Sequence, residues 1–138
     1  MRSLLAWVMK MTVAASRVLI VEDEAELLDE VASCLRRRGE TVLTATSYAK
    51  ATRIFADATE AFDVLITDAR MADGNGVDLI RAESRRGAPR VCILMTGNLE
   101  QTDSAVEMPG VQVLHKPFAV FELYREMRAA LAAQTEAR

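Results

Sequence analysis

The sequence predicts a doubly wound α/β domain built on a five-stranded parallel sheet. Five short runs of aliphatic and β-branched residues recur along the chain, and amphipathic helical patterns separate most of them. Strands that alternate with helices imply right-handed crossovers and a sheet that is covered on both faces. A chain of 138 residues is long enough for one such domain with a substantial core.

The first half of the chain contains two strand–helix units. The run RVLIVE (17–22) is continuously apolar until its final acid, as in a strand buried on both faces. An amphipathic helix follows and ends near Gly39, and TVLTA (41–45) is a second strand. Ser47 is placed to cap the second helix. The predicted inward residues are Leu28, Val31, Ala32 and Leu35 in the first helix, and Ala51, Ile54, Phe55 and Ala58 in the second.

The second half continues the alternation, with one weak helix. The third helix is expected to end around Gly87, and a fourth within 97–108 has poor periodicity before Pro109 and Gly110 stop it. The remaining strands are FDVLIT (62–67), RVCILMT (90–96) and VQVL (111–114). The predicted inward residues are Val77, Ile80 and Ser84 in the third helix, and Val120, Leu123, Tyr124, Met127 and Leu131 in the last.

The net charge and the N-terminal residues limit the classes of function that the protein can have. The net charge is -3 without a basic stripe, so we expect no direct DNA binding. Residues 1–16 have a cationic start and an apolar middle, but Lys10 interrupts a run too short to cross a bilayer. We therefore expect an N-terminal extension, no membrane association and a cytoplasmic location. Cys34 and Cys92 lie in apolar segments and are expected to be reduced thiols, although a disulfide between them stays open.

Chemically capable side chains follow four of the five predicted strands. Glu22 and Asp23 follow the first, Asp68 the third, Thr96 ends the fourth, and Lys116 comes just after the fifth. The carboxyl ends of parallel strands meet at one edge of a sheet, where doubly wound domains bind ligands. Taken singly, each residue has a structural alternative as a turn former, a helix cap or a solvated lysine. Their convergence favours one functional site.

The side-chain types at this edge suit phosphoryl chemistry. Three carboxylates repel one another, so a cation is expected among them, and oxygen ligands without Cys or His favour Mg²⁺ or Mn²⁺. The Lys116 ammonium and the Thr96 hydroxyl would neutralise oxygens of a phosphoryl group during its transfer. One carboxylate can then be the nucleophile that forms an acyl phosphate.

Five motifs in order resemble the receiver domain of two-component response regulators. LIVEDE resembles its acidic pair, and ITDARMADGNG resembles its acceptor loop D-x-x-M-P-x-x-x-G, with Ala72 in place of proline. LMTG and HKPF are similar to its switch and lysine motifs. The resemblance covers Arg17 to about Leu131. It implies a flavodoxin-like (βα)5 fold with strand order 2-1-3-4-5, a receiver domain over 17–132 and a tail over 133–138.

The resemblance also implies a role for each site residue. Asp68 would accept a phosphoryl group from a histidine kinase or a histidine phosphotransfer protein. Asp23, Asp68 and the Arg70 backbone carbonyl would bind Mg²⁺, with Glu22 assisting through water. The other implied roles are Lys116 and Thr96 on the phosphoryl group, Arg70 and Asn98 shaping its hydrolysis, and a cis Lys116–Pro117 bond.

Two departures from the family pattern concern the switch. Val113 occupies the position where the family often has a rotating Tyr or Phe, and the interval from Thr96 to Lys116 is about two residues short. Both features are similar to receivers of hybrid kinases and to some free-standing ones. Only a few residues follow the last predicted helix, so we expect a stand-alone receiver that passes the phosphoryl group on or binds an unknown downstream protein, without enzymatic turnover of other substrates.

Two other classes remain as alternatives. A receiver-like binding module would signal without phosphorylation, and the complete set of acids, threonine and lysine counts against it. A phosphatase of the haloacid dehalogenase type also uses Asp, Thr or Ser, Lys and Mg²⁺. Its nucleophile follows the first strand in a D-x-D pattern, whereas here Asp68 follows the third strand and Arg70 lies two residues beyond it.

Overall fold

The computed structural model describes residues 15–97, 108 and 110–136 of the chain. Five strands form one parallel sheet in the order β2-β1-β3-β4-β5, so the predicted fold class and strand order are confirmed. Every predicted strand is present, with ends that differ from the sequence-based ranges by at most two residues. The strands are β1 (Arg17–Val21), β2 (Thr41–Ala45), β3 (Val64–Asp68), β4 (Val91–Thr96) and β5 (Val111–His115).

In the described part of the chain, four helices cover the two faces of this sheet. The expected fourth helix falls mostly on residues 98–107, which lie outside the described part of the chain. The last helix continues to Glu136, inside the segment expected as a tail. The helices are α1 (Ala25–Arg37), α2 (Tyr48–Asp57), α3 (Gly76–Ser84) and α4 (Val120–Glu136). None of the helices in the described ranges is both long and apolar enough to cross a bilayer.

Adjacent residues of each central strand feed two separate apolar clusters, because side chains alternate across a strand. Ile20 and Ile93 point into the cluster beneath α1 and α4, which also contains Met127. Leu19 and Leu94 point into the cluster beneath α2 and α3. All five of these side chains are fully buried. The continuous apolar runs in the sequence are therefore explained by burial on both faces of the sheet.

Local signals in the sequence fix several helix ends. The Ser47 hydroxyl accepts a hydrogen bond from the Lys50 N–H at 3.1 Å, which confirms the predicted cap of α2. Gly39 follows α1 with φ of +93°, a left-handed conformation that favours glycine. The Lys116–Pro117 bond is cis, as the family resemblance implied, and the Ala88–Pro89 bond is cis as well.

The prediction that Ser84 faces the core is wrong. Ser84 is exposed, and the preceding residue, Glu83, is buried instead. The helix starts at Gly76, so its inward positions run through Val77 and Ile80 to Glu83 at spacings of three. Ser84 lies one position further round, on the solvent side. Burial raises the pKa of the Glu83 carboxyl, and Arg86, with its Nη1 3.8 Å from Oε1, partly opposes that rise.

Neither cysteine forms a disulfide in the structure, and their reduced state stays a prediction. Cys34 is half-buried on α1, and Cys92 is buried on β4. The two side chains belong to the apolar clusters on opposite faces of the sheet. Burial raises the pKa of the Cys92 thiol to about 12, so this sulfur stays protonated at neutral pH.

A small antiparallel hairpin was not predicted. Arg70–Met71 pairs with Gly74–Asn75, and Ala72 and Asp73 form the turn between the two short strands. The turn consists of Ala72 and Asp73 rather than the Asn-Gly or Asp-Gly pair that signals a tight hairpin, and two-residue strands are too short to produce a periodic pattern. The hairpin directly follows Asp68 and leads into α3, so it forms one wall of the edge where the predicted site residues lie.

Candidate phosphoryl-acceptor site

Backbone pairing brings the predicted site residues to the carboxyl edge of the sheet. Asp68 is the last residue of β3 and pairs in register with Met95, directly before Thr96. Thr96 in turn pairs with His115 on β5, directly before Lys116. The Lys116 N–H donates to the Thr96 carbonyl at 2.8 Å, which extends this pairing by one residue. Residues far apart in sequence are thus held side by side by the register of the sheet.

Three carboxylates cluster at this edge. Oxygens of Glu22, Asp23 and Asp68 all lie within 4.8 Å of one another. Glu22 is 1% exposed and Asp68 9% exposed, whereas Asp23 is open to solvent. The Glu22 Oε2 also accepts a hydrogen bond from the Glu24 N–H at 3.2 Å, so its carboxylate is fixed in place. One side of the cluster is therefore rigid and dry, and the other side is accessible.

The Lys116 ammonium is the cation that faces these carboxylates. Its Nζ lies 2.8 Å from Glu22 Oε1 and 3.4 Å from Asp68 Oδ2. Burial lowers the pKa of Lys116, but the hydrogen bond to Glu22 and the negative charges of Asp68 and Glu22 outweigh it, so the pKa is raised. These ion pairs stabilise the fold below the ordinary lysine pKa of 10.5 and are lost only as the pH rises through the still higher folded value.

The carboxylate cluster fits a hard divalent cation. It offers oxygen ligands alone and has an open side at Asp23, as expected of Mg²⁺ or Mn²⁺ that retains several waters. A single ammonium cannot neutralise three carboxylates, so the cluster keeps an excess of negative charge. The described residues thus provide both a reason and a set of atoms for binding a divalent ion.

The remaining predicted residues take different positions around the cluster. Thr96 is fully buried at the end of β4. Arg70 is exposed on the first strand of the hairpin. Val113 is half-buried on β5 and packs against the apolar cluster beneath α2 and α3. Asn98, predicted to influence hydrolysis, lies outside the described residues.

Sequence reasoning missed the contribution of Asp73 near the site. Its two carboxylate oxygens accept hydrogen bonds from the Tyr48 N–H at 2.9 Å and the Ala49 N–H at 3.0 Å. These bonds lower the pKa of Asp73. Asp73 thereby ties the hairpin turn to the first turn of α2, 25 residues away in sequence. No local pattern could reveal this contact, because the two partners belong to different strand–helix units.

The fold agrees with the comparison with known proteins. Residues 18–128 match the response regulator receiver domain family, so the chain belongs to that family. Accepting a phosphoryl group is the general function of such domains, and they typically bind Mg²⁺ through acidic residues. This membership favours a receiver over the phosphatase alternative.

Several curated relatives are transcriptional regulators. The alkaline phosphatase synthesis transcriptional regulatory protein SphR of Synechococcus elongatus is 33% identical over 126 residues, which cover 85% of this chain and 49% of SphR. The alginate biosynthesis transcriptional regulatory protein AlgB of Pseudomonas aeruginosa is 31% identical over 125 residues, which cover 88% of this chain and 26% of AlgB. The chain thus spans about half of SphR and about a quarter of AlgB.

Solved structures of receiver domains match almost end to end. A response regulator receiver domain protein from Clostridium thermocellum is 28% identical with a TM-score of 0.75, covering 89% of this chain and 99% of that one. The receiver domain of the hybrid histidine kinase CckA is 29% identical with a TM-score of 0.70, covering 83% of this chain and 98% of that one.

Proposed function

We propose that Asp68 is the phosphoryl acceptor and that a histidine kinase or a histidine phosphotransfer protein is the donor. The observation that carries this proposal is the position of the Asp68 carboxylate, nine-tenths buried and 3.4 Å from the Lys116 ammonium in a cluster of acids. Asp63, at the other end of the same strand, instead accepts a structural hydrogen bond from the Arg17 N–H at 2.8 Å. Among these two aspartates only Asp68 lies beside a lysine.

In the proposed reaction an Asp68 carboxylate oxygen attacks the phosphorus of the phosphohistidine. A new O–P bond forms as the P–N bond breaks, and its electron pair returns to the imidazole nitrogen of the donor. Mg²⁺ or Mn²⁺ would be held by Asp23, Asp68 and the Arg70 backbone carbonyl, with Glu22 assisting through water. When bound, the ion would offset the negative charge of the phosphoryl oxygens.

Lys116 and Thr96 have complementary proposed roles once the phosphoryl group is attached. The Lys116 ammonium, already within 3.4 Å of Asp68, would pair with a phosphoryl oxygen, and the Thr96 hydroxyl would donate to another. Arg70 and Asn98 would control how water reaches the acyl phosphate. Val113, which lacks a hydroxyl and a ring, would leave the movement of Thr96 uncoupled from an aromatic side chain.

Substitution of Asp68 tests the acceptor assignment. Asp68→Asn should abolish labelling by acetyl phosphate in the presence of Mg²⁺, because the amide is not a nucleophile, while far-UV circular dichroism stays unchanged. Asp63→Asn is the matched control and should label like the wild type. Labelling that persists in Asp68→Asn would place the acceptor elsewhere. Absence of labelling in the wild type, with acetyl phosphate and with phosphorylated donors, would favour the binding module that signals without phosphorylation.

We also propose that the receiver acts in the cytoplasm as a phosphorelay component or a protein-interaction switch. The similarity to the receiver of CckA, described as a hybrid histidine kinase, supports this role, whereas SphR and AlgB are described as transcriptional regulatory proteins. The two free thiols are in keeping with a reducing compartment. Profiling transfer from purified histidine kinases and phosphotransfer proteins to Asp68, in both directions, tests this role. Transfer that runs only from kinases and never back would argue against a phosphorelay.

A further inference from the structure

The turn of the hairpin formed by residues 70–75 is held against α2. Asp73, in the turn of the hairpin, receives hydrogen bonds from the backbone N–H groups of Tyr48 and Ala49 at 2.9 and 3.0 Å. These groups belong to the first turn of a helix, where N–H groups have no partner within the helix and the helix dipole favours a negative charge. Together, Asp73, Tyr48 and Ala49 form what we call the loop clamp.

Packing beside the hydrogen bonds leaves the hairpin little freedom. A methyl group added at Gly74 would lie 2.5 Å from two ring carbons of Tyr48, so the glycine backbone rests directly on that ring. Met71 is buried in the same apolar cluster to which Tyr48 contributes. The hydrogen bonds of the loop clamp are therefore reinforced by the contact of the Gly74 backbone with the Tyr48 ring and by the burial of Met71.

The other end of the hairpin is fixed next to the acceptor itself. The Gly76 N–H donates to the Ala69 carbonyl at 2.9 Å, and a methyl group at Gly76 would collide with the Asp68 carbonyl oxygen. Arg70 lies between this base and the clamp, paired in register with Asn75. Its backbone position is thus set from both ends of the hairpin.

The turn between the two ends lacks rigidity of its own. Ala72 and Asp73 both have negative φ, and neither residue restricts the backbone as proline would. Without the hydrogen bonds of Asp73, fewer contacts, those of Gly74 and Met71, would hold the turn near α2, so the turn could shift. Mg²⁺ requires near-ideal octahedral geometry, so a small displacement of a ligand carbonyl weakens binding markedly.

We propose that Asp73 is a positioning residue that holds the Arg70 carbonyl in place for the divalent cation through the loop clamp. This inference rests on the proposed function, because that function makes the Arg70 carbonyl a ligand of the ion. Asp73 is not one of the three clustered carboxylates and bonds to α2 instead, so its influence would be transmitted by the hairpin backbone. Removing a group that fixes the orientation of a metal ligand typically weakens metal binding by tenfold or more.

Calorimetric titration of the unphosphorylated protein with Mg²⁺ tests the clamp without relying on phosphoryl transfer. Asp73→Ala should raise the Mg²⁺ dissociation constant by about tenfold. Asp73→Asn should give a smaller rise, because its amide retains one acceptor oxygen. Ser47→Ala is the matched control: it removes the cap from the same helix end without touching the hairpin, and its dissociation constant should match that of the wild type.

A rescue experiment separates positioning from general destabilisation. In an Asp73→Ala background, Ala72→Pro should restore most of the Mg²⁺ affinity, because proline fixes φ in the turn without restoring the hydrogen bonds. The rate of acetyl phosphate labelling of Asp73→Ala should approach that of the wild type at saturating Mg²⁺. A change of that rate which saturating Mg²⁺ does not correct would contradict a role through the ion.

The two possible failures are distinguishable. Equal Mg²⁺ affinities in Asp73→Ala, Ser47→Ala and the wild type would overturn the loop clamp even if Asp68 is labelled normally. Normal Mg²⁺ binding by the wild type with no label on Asp68 would overturn the proposed acceptor role instead. Should Asp73→Ala fail to fold, Asp73→Asn decides the matter, and its equality with the wild type would refute the proposal.

Discussion

At the scale of single residues, the Lys116 ammonium group forms ion pairs with two carboxylates. It pairs with the buried Glu22 at 2.8 Å and reaches Asp68 at 3.4 Å, so it links a structural carboxylate to the proposed acceptor. Loss of Lys116 would leave the buried Glu22 carboxylate without a cation, which destabilises the folded state. Asp23 is exposed, so water can solvate its charge. The lysine is therefore expected to matter for stability as well as for chemistry.

Replacement of Lys116 should separate phosphoryl binding from metal binding. Lys116→Met should weaken the labelled state or its signalling strongly, because a phosphoryl oxygen loses its cation. Mg²⁺ affinity should stay equal or increase, since the ammonium no longer competes for the same carboxylates. Mg²⁺ titration calorimetry and the yield of labelled Asp68 are the two measurements, and Lys50→Met, at an exposed lysine on α2, is the control. A parallel loss of Mg²⁺ affinity would contradict these roles.

The sequence predicted these site residues because each follows a strand whose apolar pattern is unmistakable. Parallel strands bring their carboxyl ends to one edge, so the convergence of Glu22, Asp68, Thr96 and Lys116 required only the order of the elements. Asp73 could not be predicted in the same way. Its partners are two backbone N–H groups on α2, and the packing of the hairpin onto that helix is a tertiary contact.

At the scale of elements, the hairpin and α3 are built around two glycines that admit no side chain. Gly76 starts α3 and lies against the Asp68 carbonyl oxygen, while Gly74 lies against the Tyr48 ring. From the sequence, this stretch is expected only as the acceptor loop of the family motif. The structure instead has a hairpin whose glycines are required for close approach. Periodicity cannot detect this, because steric contact depends on the partner element.

Substitution of Gly76 should therefore disturb the fold and the site together. Gly76→Ala should lower the free energy of unfolding by about 1–3 kcal/mol, because the added methyl group forces the hairpin away from Asp68. Urea unfolding followed by circular dichroism measures this change. Gly97→Ala is the control, since its methyl group would meet no atom of the described residues within 4 Å, and its stability should be near that of the wild type. Equal stability of both variants would mean that the hairpin yields without cost.

Helix α3 illustrates how an element can be predicted correctly while its inward face is not. The expected inward residues Val77 and Ile80 are buried, but the third, Ser84, is not, and Glu83 takes the inward position. A carboxylate is a poor candidate for a core position on chemical grounds. Its aliphatic stem can be buried while its charge lies near Arg86, and hydropathy patterns do not separate these two parts.

At the scale of the whole molecule, two apolar clusters share the same five strands. Met127 on α4 and Leu79 on α3 are both fully buried, but on opposite faces of the sheet. Because adjacent strand residues alternate between the two clusters, neither cluster can lose its order without affecting the strands of the other. The domain is therefore expected to unfold as one cooperative unit.

Truncation of one residue in each cluster tests this cooperativity. Met127→Ala and Leu79→Ala should each lower the free energy of unfolding by about 2–5 kcal/mol, and the two losses should add in the double variant. Urea unfolding should remain a single transition in every case. Phe121→Ala, at a half-exposed ring on α4, is the control and should cost less than about 1 kcal/mol. Two separate transitions in Met127→Ala would show that the clusters unfold independently.

The ion pair between Glu22 and Lys116 joins residues 94 positions apart, one after the first strand and the other after the last. A growing chain that has reached only β4 already contains Asp68 together with its acidic neighbours, but not the lysine that faces them. The proposed acceptor site is consequently among the last features completed during synthesis. Because the sheet is expected to form cooperatively, a chain that stops before β5 would hold the three acids without the lysine that faces them, so only chains translated through β5 would form the complete site.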